Sequence, residues 1–241
     1  MSDITVILNG YRRPKNLHIQ IQYLLNQSIK PKEIWLWINY HQDWDDRVLV
    51  NLTDIKICRS NHNWKYLGRF ALASLAQTEY VALFDDDTIP GEKWLENCVN
   101  TIESTKNSVI GGIGLVHNSQ TSYMDHIRYG WANSNSSVER ADLIGHAWFI
   151  KWEHLNYLWR ERPVTHETAE DMHLCYSFQK YGNISPIVPI QNTKILTSSL
   201  YGYELGIDHT TPSATNHKDF FAIRDFCLRE YIKRGWKLIN F

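Results

Sequence analysis

Long apolar segments are absent from this chain of 241 residues, and no run approaches the length that a transmembrane helix requires. The first residues, MSDITVILNGYRRP, contain no basic region followed by a long apolar stretch, which a secretion signal would have. They are typical of a first strand instead. The sequence therefore predicts a protein with no transmembrane segment, and we expect it in the cytoplasm.

Cysteine is scarce, with four residues that lie far apart and form no C-x-x-C pair. This spacing argues against a zinc site and against a disulfide framework, so we expect reduced and mostly buried thiols. An excess of one charge is absent as well, because 25 basic residues face 26 acidic ones. That balance gives no reason to expect a nucleic-acid partner or an anionic membrane partner.

What the chain does contain is a run of three aspartates at the end of a predicted buried strand. The β-forming stretch 80–84 runs directly into Asp85, Asp86 and Asp87. Adjacent carboxylates repel one another unless a cation lies among them, and oxygen ligands of this kind suit Mg²⁺ or Mn²⁺. The carboxyl end of a strand is also where α/β sheets bind ligands. The alternative is a solvated acidic turn before a helix.

Strands and helices alternate through the first half of the chain. Strands are predicted over 4–8, 33–39, 55–58 and 80–84, with helices over 14–27 and 61–77. This order predicts a largely parallel, doubly wound sheet. The later elements that we expect are a helix over 91–105, a strand over 109–116, a loop insertion over 118–137, a strand over 140–150, helices over 151–160 and 167–181, a strand over 187–190 and a closing helix over 220–236.

A second acidic site follows much later, where Glu170 and Asp171 are predicted one turn into a helix. The glycine-containing strand around His146 and Trp148 lies between the two sites in sequence. Chemically, one carboxylate cluster with a metal can neutralise a diphosphate, while a separate carboxylate takes a proton from a nucleophile. The alternative for the second pair is a helix N-terminus whose dipole favours acidic residues.

The order of these pieces resembles a nucleotide-sugar glycosyltransferase of the GT-A fold, close to glycosyltransferase family 2 and the exostosin-like domains. GYRRP is similar to that family's T-Y-N-R-P turn, with Gly10 in place of Thr and Arg12 in place of Asn. GRF resembles an exostosin-like N-R-F motif, and FDDDTIP resembles the D-x-D strand end. ADLIGHAWF resembles the acceptor-side strand, with His146 replacing a small residue, and AEDMHL resembles the helix that supplies the base in inverting members.

The resemblance covers nearly the whole chain, so it implies one GT-A domain over residues 1–241. The sheet would be Rossmann-like, mixed but mostly parallel, and flanked by helices. Residues 1–116 would bind the nucleotide sugar. Residues 117–241 would bind the acceptor and supply a C-terminal lid and helix.

The implied activity is hexosyl transfer from a nucleoside-diphosphate sugar, with a UDP-sugar as first choice, to a hydroxyl of a glycan or glycoconjugate. Mn²⁺ or Mg²⁺ would be the cofactor, with Asp87 and His217 as ligands. Asp171 would be the general base of an inverting reaction, although retaining exostosin-like domains carry a similar Glu-Asp pair. His217 is preferred to His209 because the following helix would hold it rigidly, and both lie in the predicted lid over 197–218.

The resemblance also implies two sets of substrate contacts. The residues expected to bind the nucleotide sugar are Tyr11, Arg13, Asn39, Arg69, Asp85 and Asp86. The residues expected to bind the acceptor are His146, Trp148 and Glu170. Each has a structural alternative, such as a surface arginine, a turn asparagine at 39 or a packed core tryptophan at 148.

Three other classes of protein remain open at this level. A phosphatase of the haloacid-dehalogenase type would need its D-x-D nucleophile loop on the first strand, and here the aspartates follow an internal one. A nucleotidyltransferase would have a glycine-rich basic loop after the first strand, whereas NGYRRP has a single glycine. A catalytically inactive carbohydrate-binding module with a GT-A-like fold fits the many aromatic residues.

Overall fold

A nine-stranded sheet is formed by the residues that the computed structural model describes, namely 3–50, 52–131, 133–206 and 219–241. The strands are β1 (Ile4–Gly10), β2 (Glu33–Ile38), β3 (Ile55–Arg59), β4 (Tyr80–Phe84), β5 (Ser108–His117), β6 (His126–Gly130), β7 (Glu139–Arg140), β8 (Leu143–Lys151) and β9 (Ser185–Val188). The α-helices are α1 (Leu17–Leu25), α2 (Gly68–Ala73), α3 (Trp94–Ser104), α4 (Leu155–Leu158), α5 (Glu170–Gly182) and α6 (Phe220–Lys233). Short 3₁₀ turns cover Pro14–Asn16, Asp46–Leu49 and Trp152–His154.

The first four strands are parallel and lie in the order β3-β2-β1-β4. In this register Leu8 of β1 lies opposite Phe84 of β4, and Gly10 lies opposite Ile38 of β2. Because parallel strands end at the same edge, the segments that follow β1, β2 and β4 meet there. The predicted doubly wound half of the sheet is confirmed, and its carboxyl edge is the place to look for a site.

The second half of the chain joins this sheet through β8, which pairs antiparallel with β4 and with β5. Phe84 lies opposite Ala147, and the amide of Asp85 donates a 2.9 Å hydrogen bond to the carbonyl of His146. The order continues through β5 and β9 to β7, while β6 pairs with β5. The GHAW segment is thereby placed directly beside the aspartates, which are distant from it in sequence.

Helices cover both faces of the sheet, as the apolar periodicity of the sequence requires. On one face α3 buries Leu95, Cys98 and Ile102, which follow one another at intervals of three and four residues, together with Trp94. On the other face α2, α5 and α6 bury a second set that includes Tyr176. Full burial of a large apolar side chain is worth about 1.5–3 kcal/mol, so these two layers hold the sheet between them.

Two predicted boundaries are wrong for reasons of backbone conformation. The helix expected over 61–77 is shorter, since α2 covers only Gly68–Ala73, and the left-handed φ of 53° at Lys65 excludes an α-helix that starts at residue 61. The helix expected from 167 begins at Glu170, because Ala169 has φ 65°. Glu170 and Asp171 are therefore the first two helical residues rather than one turn inside the helix.

Two predicted loops also contain more order than the sequence suggested. The insertion expected over 118–137 contains β6, which pairs with β5. The start of the predicted lid is fixed in place: Ser198 is fully buried, and the amide of Leu200 donates to the carbonyl of Ile89 at 2.8 Å. The first residues of the predicted lid are therefore packed against the rest of the protein. The rest of that segment, including His209 and His217, lies outside the described residues.

No helix within the described ranges is long and apolar enough to cross a membrane.

Candidate active site

Clustered carboxylates occupy the carboxyl edge of the sheet, directly after β4, and two arginines hold them. Arg13, in the turn after β1, forms ion pairs with Asp86 at 2.8 Å and Asp87 at 3.0 Å. Arg69 of α2 pairs with Asp85 and reaches Glu170 at 3.5 Å. The two acidic sites of the sequence therefore lie within the span of one guanidinium group.

Both arginines had been expected to approach the nucleotide, and the structure places them on the carboxylates. Arg69 is buried, with 2% of its side chain exposed, and its guanidinium lies 4.6 Å from the centre of the Trp148 ring. Trp148 is only 2% exposed, so its ring is a fixed core surface against which the guanidinium packs. Contacts of these residues with a nucleotide or an acceptor stay predictions.

The backbone of the aspartate loop is held by two amide side chains that the sequence analysis did not select. Asn16 donates to the carbonyl of Asp86 at 2.9 Å. Gln20 donates to the carbonyls of Asp85 at 2.7 Å and Thr88 at 3.1 Å. Their signal in the sequence is a pair of polar residues four apart, one directly before α1 and one on its buried face, where each needs a buried partner.

The aspartate loop carries more negative charge than its surroundings neutralise. Burial raises the pKa of Asp86 to about 7, against the lowering effect of Arg13 and with a further rise from Asp87 and Asp85. A carboxyl group whose pKa approaches neutrality is a common feature of functional sites. A cation bound at the loop would relieve this repulsion.

Three residues at this edge offer ligand atoms for such a cation. Single atoms of Asp85, Asp87 and His146 all lie within 4.8 Å of one another. The Nδ1 atom of His146 is 3.8 Å from Asp85 Oδ2. Two carboxylates with an imidazole suit Mn²⁺ better than Mg²⁺, which prefers oxygen ligands alone. The residues present therefore fit the predicted metal.

His146 itself adopts a strained conformation. Its φ of 65° lies in the left-handed region, which costs a residue other than glycine about 1–3 kcal/mol. Strain of this kind persists where the surroundings enforce it, often at functional sites. His146 had been expected to contact the acceptor, and the structure also brings it to the carboxylates.

Asp171 is held by an arginine that the sequence analysis missed. Its Oδ2 atom accepts a 2.6 Å hydrogen bond from Arg224 of α6, which is buried with its guanidinium 4.2 Å from the Tyr123 ring. The sequence does contain a signal, because Arg224 shares the buried stripe of α6 with Cys227, Leu228 and Tyr231. A buried arginine in such a stripe requires an acidic partner.

The strand opposite Asp171 leaves room for a substrate. A Cβ atom added to Gly145 would lie 4.0 Å from Asp171 Oδ2 and would meet no other atom closer than that. The carboxylate keeps 15% of its side chain exposed. A hydroxyl group can therefore approach Asp171 across the glycine.

Glu170 is the buried member of the acidic pair. Burial, reinforced by the charge of Asp171, raises the pKa of Glu170 to about 8, although Arg69 and Arg224 oppose the shift. Glu170 is therefore protonated at neutral pH and is not available as a base. Asp171, in contrast, forms an ion pair with Arg224.

We expect Glu170→Gln to stabilise the ligand-free protein near pH 7.5. The unfolded chain ionises this group near its ordinary pKa of 4.5, whereas the folded protein retains the proton up to about pH 8. In the wild-type protein the stability that this group contributes is therefore fully present below pH 4.5, and it is lost as the pH rises from 4.5 to 8. The gain in the melting temperature should be clear at pH 7.5 and vanish towards pH 4.5, as measured calorimetrically in EDTA.

The control for this measurement is Glu153→Gln, which removes an exposed carboxylate remote from the site. It should leave the melting temperature nearly unchanged at both pH values. A Glu170→Gln variant that is destabilised at pH 7.5, or stabilised equally at both pH values, would contradict the assigned protonation.

A cleft adjoins the carboxylates at the ends of β1 and β2. Asn39 is 3% exposed, and its amide is already engaged: it donates to Asn63 at 2.8 Å and accepts from the Trp64 amide at 3.0 Å. Asn63 in turn donates to the Tyr11 hydroxyl at 3.0 Å. The residues that line this cleft are Asn9, Tyr11, Asn39, Asn63, Lys65, Tyr66, Glu167, Thr168, Phe220 and Ile223.

Clustered aspartates lie at the parallel edge of the sheet, and a second acidic pair begins the helix α5 beside them. This arrangement is typical of the GT-A class of transferases. The chain matches the family described as Glycosyl transferase family 2 over residues 5–168, which is well over half of its length. The chain therefore belongs to that family.

Among solved structures, the chain is similar to the crystal structure of S. aureus TarS 1–349. The TM-score is 0.58 and the sequence identity 16%, over 83% of this chain and 60% of the TarS chain. At this identity the likeness shows the fold, and the chain spans less than two thirds of the solved relative. No curated protein sequence matches the chain significantly.

Proposed function

We propose that this glycosyltransferase moves a hexosyl group from a nucleoside-diphosphate sugar to a hydroxyl of a glycan or glycoconjugate, with inversion at the anomeric carbon. The observation that carries the proposal is the position of Arg69 between Asp85 and Glu170. Arg69 thereby connects the aspartate loop, where a diphosphate with its cation would bind, to the helix that bears Asp171. Donor and acceptor would therefore meet across one cleft.

The donor half of the site would be residues 1–116. The cleft at the ends of β1 and β2 is lined by the amide of Asn9 and the ring of Tyr11, groups that suit a nucleobase. A divalent cation held by Asp85, Asp87 and His146 would offset the charge of the departing diphosphate. A UDP-sugar with Mn²⁺ is the first donor to test.

The acceptor half would be residues 117–241, with Asp171 as the base. An acceptor hydroxyl is a poor nucleophile at neutral pH, so a carboxylate must take its proton as the new bond forms. Arg224 holds Asp171 in place through one oxygen, and Gly145 leaves the approach open. Protonated Glu170 would brace Arg69 or donate a hydrogen bond to the acceptor.

A panel of nucleoside-diphosphate sugars tests this proposal. The full chain is incubated with each donor, with Mn²⁺ or with EDTA, and release of free nucleoside diphosphate is followed together with the melting temperature. A true donor at a hundred times its dissociation constant should add about 2.7 kcal/mol of stability. One donor should be cleaved with Mn²⁺ and not in EDTA. Stabilisation without cleavage would favour an inactive carbohydrate-binding module instead.

A further inference from the structure

A cationic and aromatic surface borders the proposed active site on the side of β6. We call it the Arg128 wall, formed by Arg128, Trp131 and Tyr203. The guanidinium of Arg128 lies 5.2 Å from the Trp131 ring and 5.3 Å from the Tyr203 ring, and the two rings are 4.6 Å apart. Trp131 also lies 5.3 Å from the ring of His146. The wall is therefore continuous with the residues around Asp85.

Three side-chain nitrogen atoms of this wall have no hydrogen-bond partner. Arg128 Nε and Nη2 and Trp131 Nε1 are buried and form no hydrogen bond within the described residues. A buried N–H group without an acceptor costs about 1–3 kcal/mol, so such a cluster is unusual unless a ligand supplies oxygen atoms.

Arg128 also differs from the other arginines near the site. Arg13, Arg69 and Arg224 each form an ion pair with a carboxylate. Arg128 forms none with any residue that the structure describes. Its planar fork of donors matches a phosphate or a carboxylate, and its ring neighbours are surfaces on which a sugar stacks.

We propose that the Arg128 wall is an acceptor subsite that binds an anionic group, a phosphate or a carboxylate, carried by the sugar that is glycosylated. This inference rests on the proposed function and goes beyond it by naming the class of acceptor. The anion belongs to the acceptor because the wall lies in the half of the sheet formed by β5, β6 and β8, the half that faces Asp171. The diphosphate of the donor would instead bind through the divalent cation proposed at Asp85, Asp87 and His146.

Nuclear magnetic resonance of the indole N–H of Trp131 tests the wall directly. The full chain is held with excess UDP and Mg²⁺, and the Trp131 signal is assigned by its loss in Trp131→Phe. Glucose 6-phosphate, glucuronate, glucose and inorganic phosphate are then titrated separately. We expect at least one of the two anionic sugars to shift the signal at much lower concentrations than glucose. Preference for glucose 6-phosphate would assign a phosphate-bearing acceptor, and preference for glucuronate a carboxylate-bearing one.

The variant Arg128→Gln should weaken binding of the anionic sugar about tenfold or more, the expected effect of losing a hydrogen bond to a charged group. Arg128→Lys keeps the charge but loses the planar fork of donors, so its affinity for the anionic sugar should lie between those of the wild type and Arg128→Gln. Arg140→Gln is the matched control, because Arg140 is an exposed arginine on β7, and it should bind as the wild type does. Equal binding by Arg128→Gln and wild type would overturn the proposal.

Two further results would also overturn it. Glucose that binds as tightly as both anionic sugars would show that the charge is not recognised. Inorganic phosphate that shifts the signal as strongly as glucose 6-phosphate would show that the sugar is not recognised. Failure of UDP to shift the amide signals of Asn39 and Asn63 would contradict the proposed function alone, because the Trp131 signal reports the wall separately.

Discussion

Replacing Asp171 by asparagine should lower the rate of sugar transfer by about a hundred- to ten-thousand-fold, the usual contribution of a positioned base. Asparagine keeps the shape of the side chain and still accepts a hydrogen bond from Arg224, but it takes no proton at neutral pH. Asp171 is not among the proposed metal ligands or the residues that line the proposed nucleobase cleft, so the dissociation constant of the nucleoside diphosphate should stay close to wild type. Initial rates with saturating donor, together with calorimetric titration of the nucleotide, measure both quantities.

Asp54→Asn is the matched control for this loss. Asp54 is exposed before β3 and has φ 61°, a conformation that asparagine tolerates as well as aspartate does. Its transfer rate should equal that of the wild type. An Asp171→Asn enzyme that transfers at a tenth of the wild-type rate or faster would remove Asp171 from the base role.

Replacing Asp87 by asparagine should raise the Mn²⁺ concentration needed for half-maximal rate more than about a hundredfold, so that the concentrations that saturate the wild type no longer stimulate the variant. Changes next to a metal ligand already cost 10–100-fold in metal affinity or activity, so loss of a ligand should exceed that range. Arg13 keeps its 2.8 Å pair with Asp86, so the loop should stay folded. Titration of Mn²⁺ against the initial rate checks the expectation.

The same Asp54→Asn control excludes a general effect of removing one negative charge. Its Mn²⁺ dependence should superimpose on that of the wild type. Undiminished activity of the wild-type enzyme in EDTA would contradict the metal assignment as a whole, and an unchanged Mn²⁺ titration in Asp87→Asn would contradict the role of Asp87 within it.

The sequence predicts those parts of the site that depend on local patterns of apolar and polar residues. A buried β-run that ends in three aspartates and a helix that opens on Glu170 and Asp171 are visible because strand and helix periodicity place them. The parallel half of the sheet follows from the alternation of strands and helices in the first half of the chain. Comparison with a known family adds the order of the pieces, and the fold confirms it.

The partners of these carboxylates were not predictable in the same way. Arg224 meets Asp171 from the last helix, and Arg69 reaches Glu170 from α2, so both contacts depend on how distant elements pack. The position of His146 depends on a strained backbone and on the pairing of β8 with β4. The alternation of polar and apolar residues along a single strand gives no information on these contacts or on the position of His146.

The division of tasks between Glu170 and Asp171 also required the structure. In sequence the two are equivalent acids at a helix start. Burial beside Asp171 raises the pKa of Glu170, while Arg224 pairs with Asp171 alone. Chemical difference between neighbouring carboxylates thus arises from their surroundings rather than from their type.

The anomeric configuration of the first product tests the central claim most directly. The donor that the panel identifies, with an α-linked sugar, is hydrolysed by the enzyme, and the proton NMR spectrum is recorded before the released sugar mutarotates. Direct attack assisted by one base gives inversion, so the β-anomer should be released first. Release of the α-anomer would contradict a single displacement with Asp171 as its base.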